Sequence, residues 1–270
     1  MPVPVNTQLA VLPAMLPAMI AAYNTSDSRT ANYNITYENF IVGRTQGIAT
    51  HGSLANWIKN GSAAAEIHNL LTAFGMSAQR SILVALPVLN GVLNELPAEI
   101  LNWIQNISLP LPTSPCTIIN SSTHSTLSVE LQDLFNVLAA PGSVTLSGGF
   151  VAASKTLHCL FPDLAPMIDG RHSGLSYFHI SRATYLPPLG LRTWDQWNGT
   201  LLLGIPNPSP RGAGRANWDS ARFVAAIGIN QHIYEIWRSS NHNPNLRDFL
   251  ALDSARGTTG IPRIVDKLLW

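Results

Sequence analysis

The chain has 270 residues, enough to bury a full core as one large domain or two small ones. Hydrophobic residues make up 46% and charged residues only 11%, whereas a disordered chain shows the reverse balance, so disorder is excluded for most of the length. The net charge of +1 gives no global pull toward nucleic acid, although residues 1–135 hold four basic against seven acidic groups and residues 136–270 hold twelve against eight.

Two cysteines, Cys116 and Cys159, cannot make a disulfide framework, and without a CxxC they do not make a zinc site. No run of about 20 apolar residues marks a membrane span. The apolar stretch from Leu9 to Ala22 lacks a basic n-region and is interrupted by Pro13 and Pro17. The expectation is an intracellular, soluble protein with no membrane partner.

In chain order, Asn6–Ala22 is predicted as the first helix, with Leu9, Leu12, Leu16 and Ile20 at helical spacing. Residues 23–52 show no sustained period and read as a long loop or short irregular pieces. Helical signals return at Leu54, Trp57 and Ile58 and again over Ala63–Phe74. Gly75 is a stop signal and Ser77 an N-cap for a helix over Ala78–Leu96, kinked or divided at Pro87. Pro97-Ala-Glu opens a helix over Ile100–Ile107. Residues 108–125, with three prolines and many hydroxyls, form a connector. It is the expected boundary between an N-terminal helical lobe, 1–125, and a C-terminal lobe, 126–270, unless the two make one compact unit.

Leu127–Leu138 reads as a clean amphipathic helix, and a turn at Gly148-Gly149 precedes a helix over Phe150–Leu160. Phe161-Pro162-Asp163 ends that helix and Leu164–Met167 runs extended to Ile168 and Asp169. Arg171–Arg182 reads as a further helix, and residues 183–216 as a Pro/Gly-rich loop around Trp194 and Trp197. A long helix from Trp218 to about Arg238, capped by Asn217, and two short ones, Asn245–Leu252 and Pro262–Leu269, complete the chain. Alternating strands are almost absent. The expected fold is mostly α and two-lobed, with little or no sheet.

One stretch stands out, Leu146-Ser-Gly-Gly-Phe-Val-Ala-Ala-Ser-Lys-Thr-Leu-His158 followed by Pro162, Asp169, Arg171 and His172. A helix ends, a glycine turn follows, a helix of small and apolar residues comes next, and a short crossing leads to Asp169. Gly148 and Gly149 set backbone N–H groups at a helix N-terminus, where a phosphate is favoured. An amine at position 155 against apolar neighbours is favoured in its neutral, nucleophilic form, although a lysine also snorkels to water from a helix. His158 shares the face of Lys155 and can orient or deprotonate it, or be a satisfied structural histidine. Asp169 serves equally as a catalytic carboxylate or as a helix cap. Trp194 and Trp197 suit stacking on a base or an apolar pocket, or plug the core under their loop. Arg211 and Arg215 form a basic pair suited to phosphate, or a solvated loop. Asp169, Arg171, His172 and His179 lack a third ligand at workable spacing, so no metal and no cofactor is expected.

This stretch resembles the helix-hairpin-helix superfamily of DNA base-excision glycosylases, and more closely the small proteins with an 8-oxoguanine DNA glycosylase (OGG) fold. The resemblance covers residues 130–182, with the terminal Pro262–Trp270 similar to the last helix of that group. It implies base flipping and N-glycosidic cleavage in an interlobe cleft, with Asp169 stabilising a sugar cation and Lys155 as lyase nucleophile. Arg171 and His172 would then be binding residues. The hairpin reads Leu-Ser-Gly-Gly-Phe where those enzymes have Leu-Pro-Gly-X-Gly, and aligning the glycines places Ala152 near the lysine position. DNA is the partner implied. The alternative is the same scaffold used as an enzyme or binding protein for a small, largely apolar molecule, or as a non-catalytic interaction module.

Overall fold

A computed structural model describes residues 5–25, 28–60, 62–76, 82–168, 215–241, 244–256 and 260–269. Its helices are α1 (Val5–Thr25), α2 (Ser28–His51), α3 (Leu54–Lys59), α4 (Ser62–Ala73), α5 (Leu86–Glu95) and α6 (Ala98–Ile104). They continue with α7 (Leu127–Ala139), α8 (Phe150–Leu160), α9 (Arg215–Ser240), α10 (Leu246–Leu250), a 3-10 turn (Ala251–Arg256) and α11 (Ile261–Leu269). Among the described residues there is no strand, only the isolated bridges Leu83–Thr145 and Ile119–Thr126. The fold is mostly α. No helix among these residues is long and apolar enough to cross a membrane.

The core is built from pairs of amphipathic helices. α7 packs on both α8 and α9, α4 on both α2 and α5, and α3 on α6. α1 packs against α9 and α11, joining the first helix to the last. One hydrophobic cluster runs through all of these layers, from Leu16 to Val265. The connector after α6 is pinned to the second half of the chain. Leu109 N–H donates to the Asp163 carbonyl (2.9 Å), and the Gln231 amide of α9 grips the backbone of Leu111 at both N–H and C=O (3.0 and 3.1 Å).

Three elements differ from expectation. The long helix α9 begins at Arg215, so Asn217 lies inside it rather than capping it. Residues 28–51 form a continuous helix rather than a loop. Its buried stripe is Asn34, Tyr37 and Phe40, with Arg44 and Ile48 further along. That spacing is helical, but the stripe is polar and aromatic rather than aliphatic, because its inner face meets buried polar groups. The helix expected from Ala78 starts only at Leu86. Pro87 stands in its first turn, where a missing N–H costs nothing, instead of kinking its middle. The preceding backbone is extended, bonded by Val84 N–H to the Val144 carbonyl and by Leu146 N–H to the Ile82 carbonyl.

Candidate functional site

The hairpin of α7, turn and α8 is locally determined. Thr126 caps α7 by accepting from Val129 N–H (3.3 Å). Gly148 sits at φ 67°, and a Cβ there would stand 2.4 Å from the Ala139 carbonyl oxygen. Only glycine fits, on conformation and on space. Gly149 caps α8 at φ 121°. The amides of both glycines are spent inside the turn, Gly148 N–H on Thr145 O (3.1 Å) and Gly149 N–H on Ala139 O (2.8 Å). The phosphate-binding role expected of these two amides is therefore not theirs to fill.

Sequence reasoning missed the cation beside this turn. Arg222 of α9 lies 5.7 Å from the ring centre of Phe150, the first residue of α8, and pairs loosely with Asp219 at 3.8 Å. Burial lowers its pKa to about 10, with Asp219 pulling the other way. The signal was an arginine inside the otherwise apolar Ala221–Ile229 run.

Lys155 is 9% exposed on α8 and its ammonium lies 5.4 Å from the ring centre of Phe74, at the end of α4. It therefore stands where a helix of the first half of the chain meets a helix of the second. Its neighbour Ser154 is fully buried. The single hydroxyl proton of Ser154 reaches the Ile168 carbonyl at 2.9 Å and the Val151 carbonyl at 3.1 Å. Ile168 is the residue before Asp169.

His158, one turn after Lys155, is fully buried. Its Nδ1 is 2.7 Å from the Ala165 carbonyl and its Nε2 is 2.8 Å from the Tyr37 hydroxyl. A carbonyl only accepts, so Nδ1 carries the proton and Nε2 accepts from Tyr37. Burial, reinforced by the charges of Arg263 and Arg44, pushes the pKa down to about 3. The imidazole is neutral and both nitrogens are committed. Its neighbour Cys159 is equally buried, and burial raises the thiol to about 12. At the end of α8, Arg44 Nη2 donates to the Leu160 carbonyl (2.6 Å), placing a cation at the negative end of the helix.

Tyr37 leads into a buried ionic network that the sequence did not reveal. The Arg263 guanidinium lies 4.8 Å from the Tyr37 ring centre and donates to Asp266 (2.6 Å) and Asn34 (2.6 Å). Lys267 pairs with Asp253 and reaches Asn24 Oδ1 at 3.2 Å, while Asn24 Nδ2 donates to Asp253 (2.7 Å). Its partners lie up to 243 residues apart in the chain. No local spacing points to such pairs.

A separate cleft of about 150 Å³ is lined by Thr113, Ser114 and Pro115 of the connector and by Gln231, His232 and Glu235 of α9. Of the residues singled out from sequence, the structure brings Gly148, Gly149, Lys155 and His158 into one hairpin. Arg215 opens α9, its side chain lying outside the description. Asp169, Arg171, His172, Trp194, Trp197 and Arg211 lie outside the described residues.

Comparison with protein-family models, with curated proteins and with solved structures returned no match.

Proposed function

We propose that the chain is a DNA glycosylase-like enzyme of helix-hairpin-helix type, with Lys155 as the amine nucleophile and Asp169 as the carboxylate that stabilises sugar cation. The observation that carries this reading is the buried Lys155, set on α8 six residues after its capping glycine, at the contact between α4 and α8. Hydrogen bonding of Ile168 to Ser154 brings the chain just before Asp169 back to the helix that carries Lys155. On an abasic site the amine adds to the C1′ aldehyde and water leaves, giving a C=N bond that borohydride reduces to a stable secondary amine. Arg222 beside the hairpin, with Arg211 and Arg215, supplies the phosphate contacts. Incubation with a duplex carrying one abasic site and borohydride should give a covalent adduct with the wild type and none with Lys155→Ala.

The aromatic wall formed by Phe74 favours a second reading, in which the same amine condenses with a carbonyl of a small, largely apolar molecule. An adduct with a small apolar aldehyde, and none with abasic DNA, selects it.

A further inference from the structure

Ser154 and His158 occupy positions i and i+4 of α8 and lie about 40° apart around the axis, while Lys155 lies about 100° from Ser154 and about 60° from His158. The face of Ser154 and His158 grips the segment after α8. Ser154 donates to the Ile168 carbonyl and His158 Nδ1–H to the Ala165 carbonyl, at 2.9 and 2.7 Å. The segment from Leu164 to Ile168 is buried and irregular, so its carbonyls depend on partners from elsewhere. Together with the packing of α8, which is buried from Ala152 to Leu160, these two bonds fix the roll of the helix about its own axis, and the roll decides where Lys155 points.

His158 is itself held. Tyr37 donates to its other nitrogen and stacks on it with ring centres 5.4 Å apart, and the Arg263 guanidinium lies against the Tyr37 ring. The Nδ1 proton is consequently committed to Ala165 and is not exchanged with a substrate.

We propose that His158 is a positioning residue: through its Nδ1–H bond to Ala165 it fixes the roll of α8 and thereby holds the Lys155 amine over Phe74, in the reaction proposed above, on which this inference rests. The imidazole acts by holding backbone, not by moving a proton.

The test compares His158→Asn, whose amide can donate from near the Nδ1 position, with His158→Gln, whose amide extends toward the Nε2 position. The full chain labelled with 13C at lysine Cε should give three cross-peaks, one for each lysine, with that of Lys155 assigned by its loss in Lys155→Arg. The Phe74 ring current should shift the Lys155 peak upfield in the wild type and in His158→Asn. In His158→Gln the peak should move toward the position of an exposed lysine, and trapping by abasic DNA should slow about tenfold with little change in binding. A Lys155 peak and trapping rate that are the same in both variants overturn the proposal. If the wild type traps no DNA, the glycosylase reading fails by itself, and the Lys155 shift still decides whether His158 sets the amine.

Discussion

Tyr37 of α2 and His158 of α8 are joined in the core by a 2.8 Å hydrogen bond between the Tyr37 hydroxyl and Nε2. They are 121 residues apart in sequence. This bond closes a path of polar contacts from Asp266 through Arg263 and Tyr37 to His158 and the Ala165 carbonyl. The helix that carries Lys155 is thus tied to α2 and α11 through one neutral imidazole.

That imidazole predicts a pH dependence of stability. Its pKa is about 3 in the folded protein against 6.5 for the ordinary group, so the unfolded chain takes up a proton that the native state does not. The stability is present above about pH 6.5 and is lost as pH falls toward 3. Between pH 7 and pH 5 this one residue should cost about 2 kcal/mol. Urea unfolding at the two pH values checks it, since His158→Asn should lose less stability on acidification than the wild type.

The hairpin turn predicts a contrast between two glycines. Gly142 sits at φ 81° in open space, so Gly142→Ala should cost only the backbone strain, about 1 kcal/mol. A Cβ at Gly148 meets backbone atoms of residues 139–141 as well. Gly148→Ala should cost at least twice as much, read as the melting temperatures of the two variants.

The Lys267–Asp253 pair is almost fully buried, at 1% and 0% side-chain exposure. Lys267→Met leaves the Asp253 charge with Asn24 but without its cation, and should destabilise by about 3–5 kcal/mol. Replacing both residues, with Asp253→Leu added, should recover most of that loss. A double-mutant cycle in chemical denaturation measures the coupling. A double variant as costly as the two single changes together contradicts it.

Cys116 and Cys159 form no disulfide. Cys159 is fully buried with its thiol raised to about 12, so a thiol reagent at pH 8 should leave it untouched in the native protein. After unfolding without reductant, two thiols should titrate.

The legible part of this fold is where aliphatic residues carry the period. α8 is legible at its observed bounds, Phe150–Leu160, because Gly149 and Phe161-Pro162 punctuate a run of small and apolar residues. α7 is legible to within one residue of its end because aliphatic residues carry its period. α2 was missed because Asn34, Tyr37 and Arg44 face inward, a stripe that looks like loop chemistry until Arg263, His158 and the end of α8 supply its partners. The site divides in the same way. The lysine and the glycine turn were visible as local sequence. The bonds that hold α8 join residues 7 to 121 positions apart and depend on tertiary packing.

The most direct test of the central claim is to locate the covalent adduct. The chain has only Lys59, Lys155 and Lys267 as lysines. Trapping with abasic duplex and borohydride, followed by nuclease and trypsin digestion and mass spectrometry, should place a sugar-derived adduct on Lys155 with loss of cleavage after that residue. Lys155→Ala should remove the adduct while keeping the wild-type melting temperature within a few degrees. An adduct on Lys59 or Lys267, or unchanged trapping by Lys155→Ala, contradicts the account.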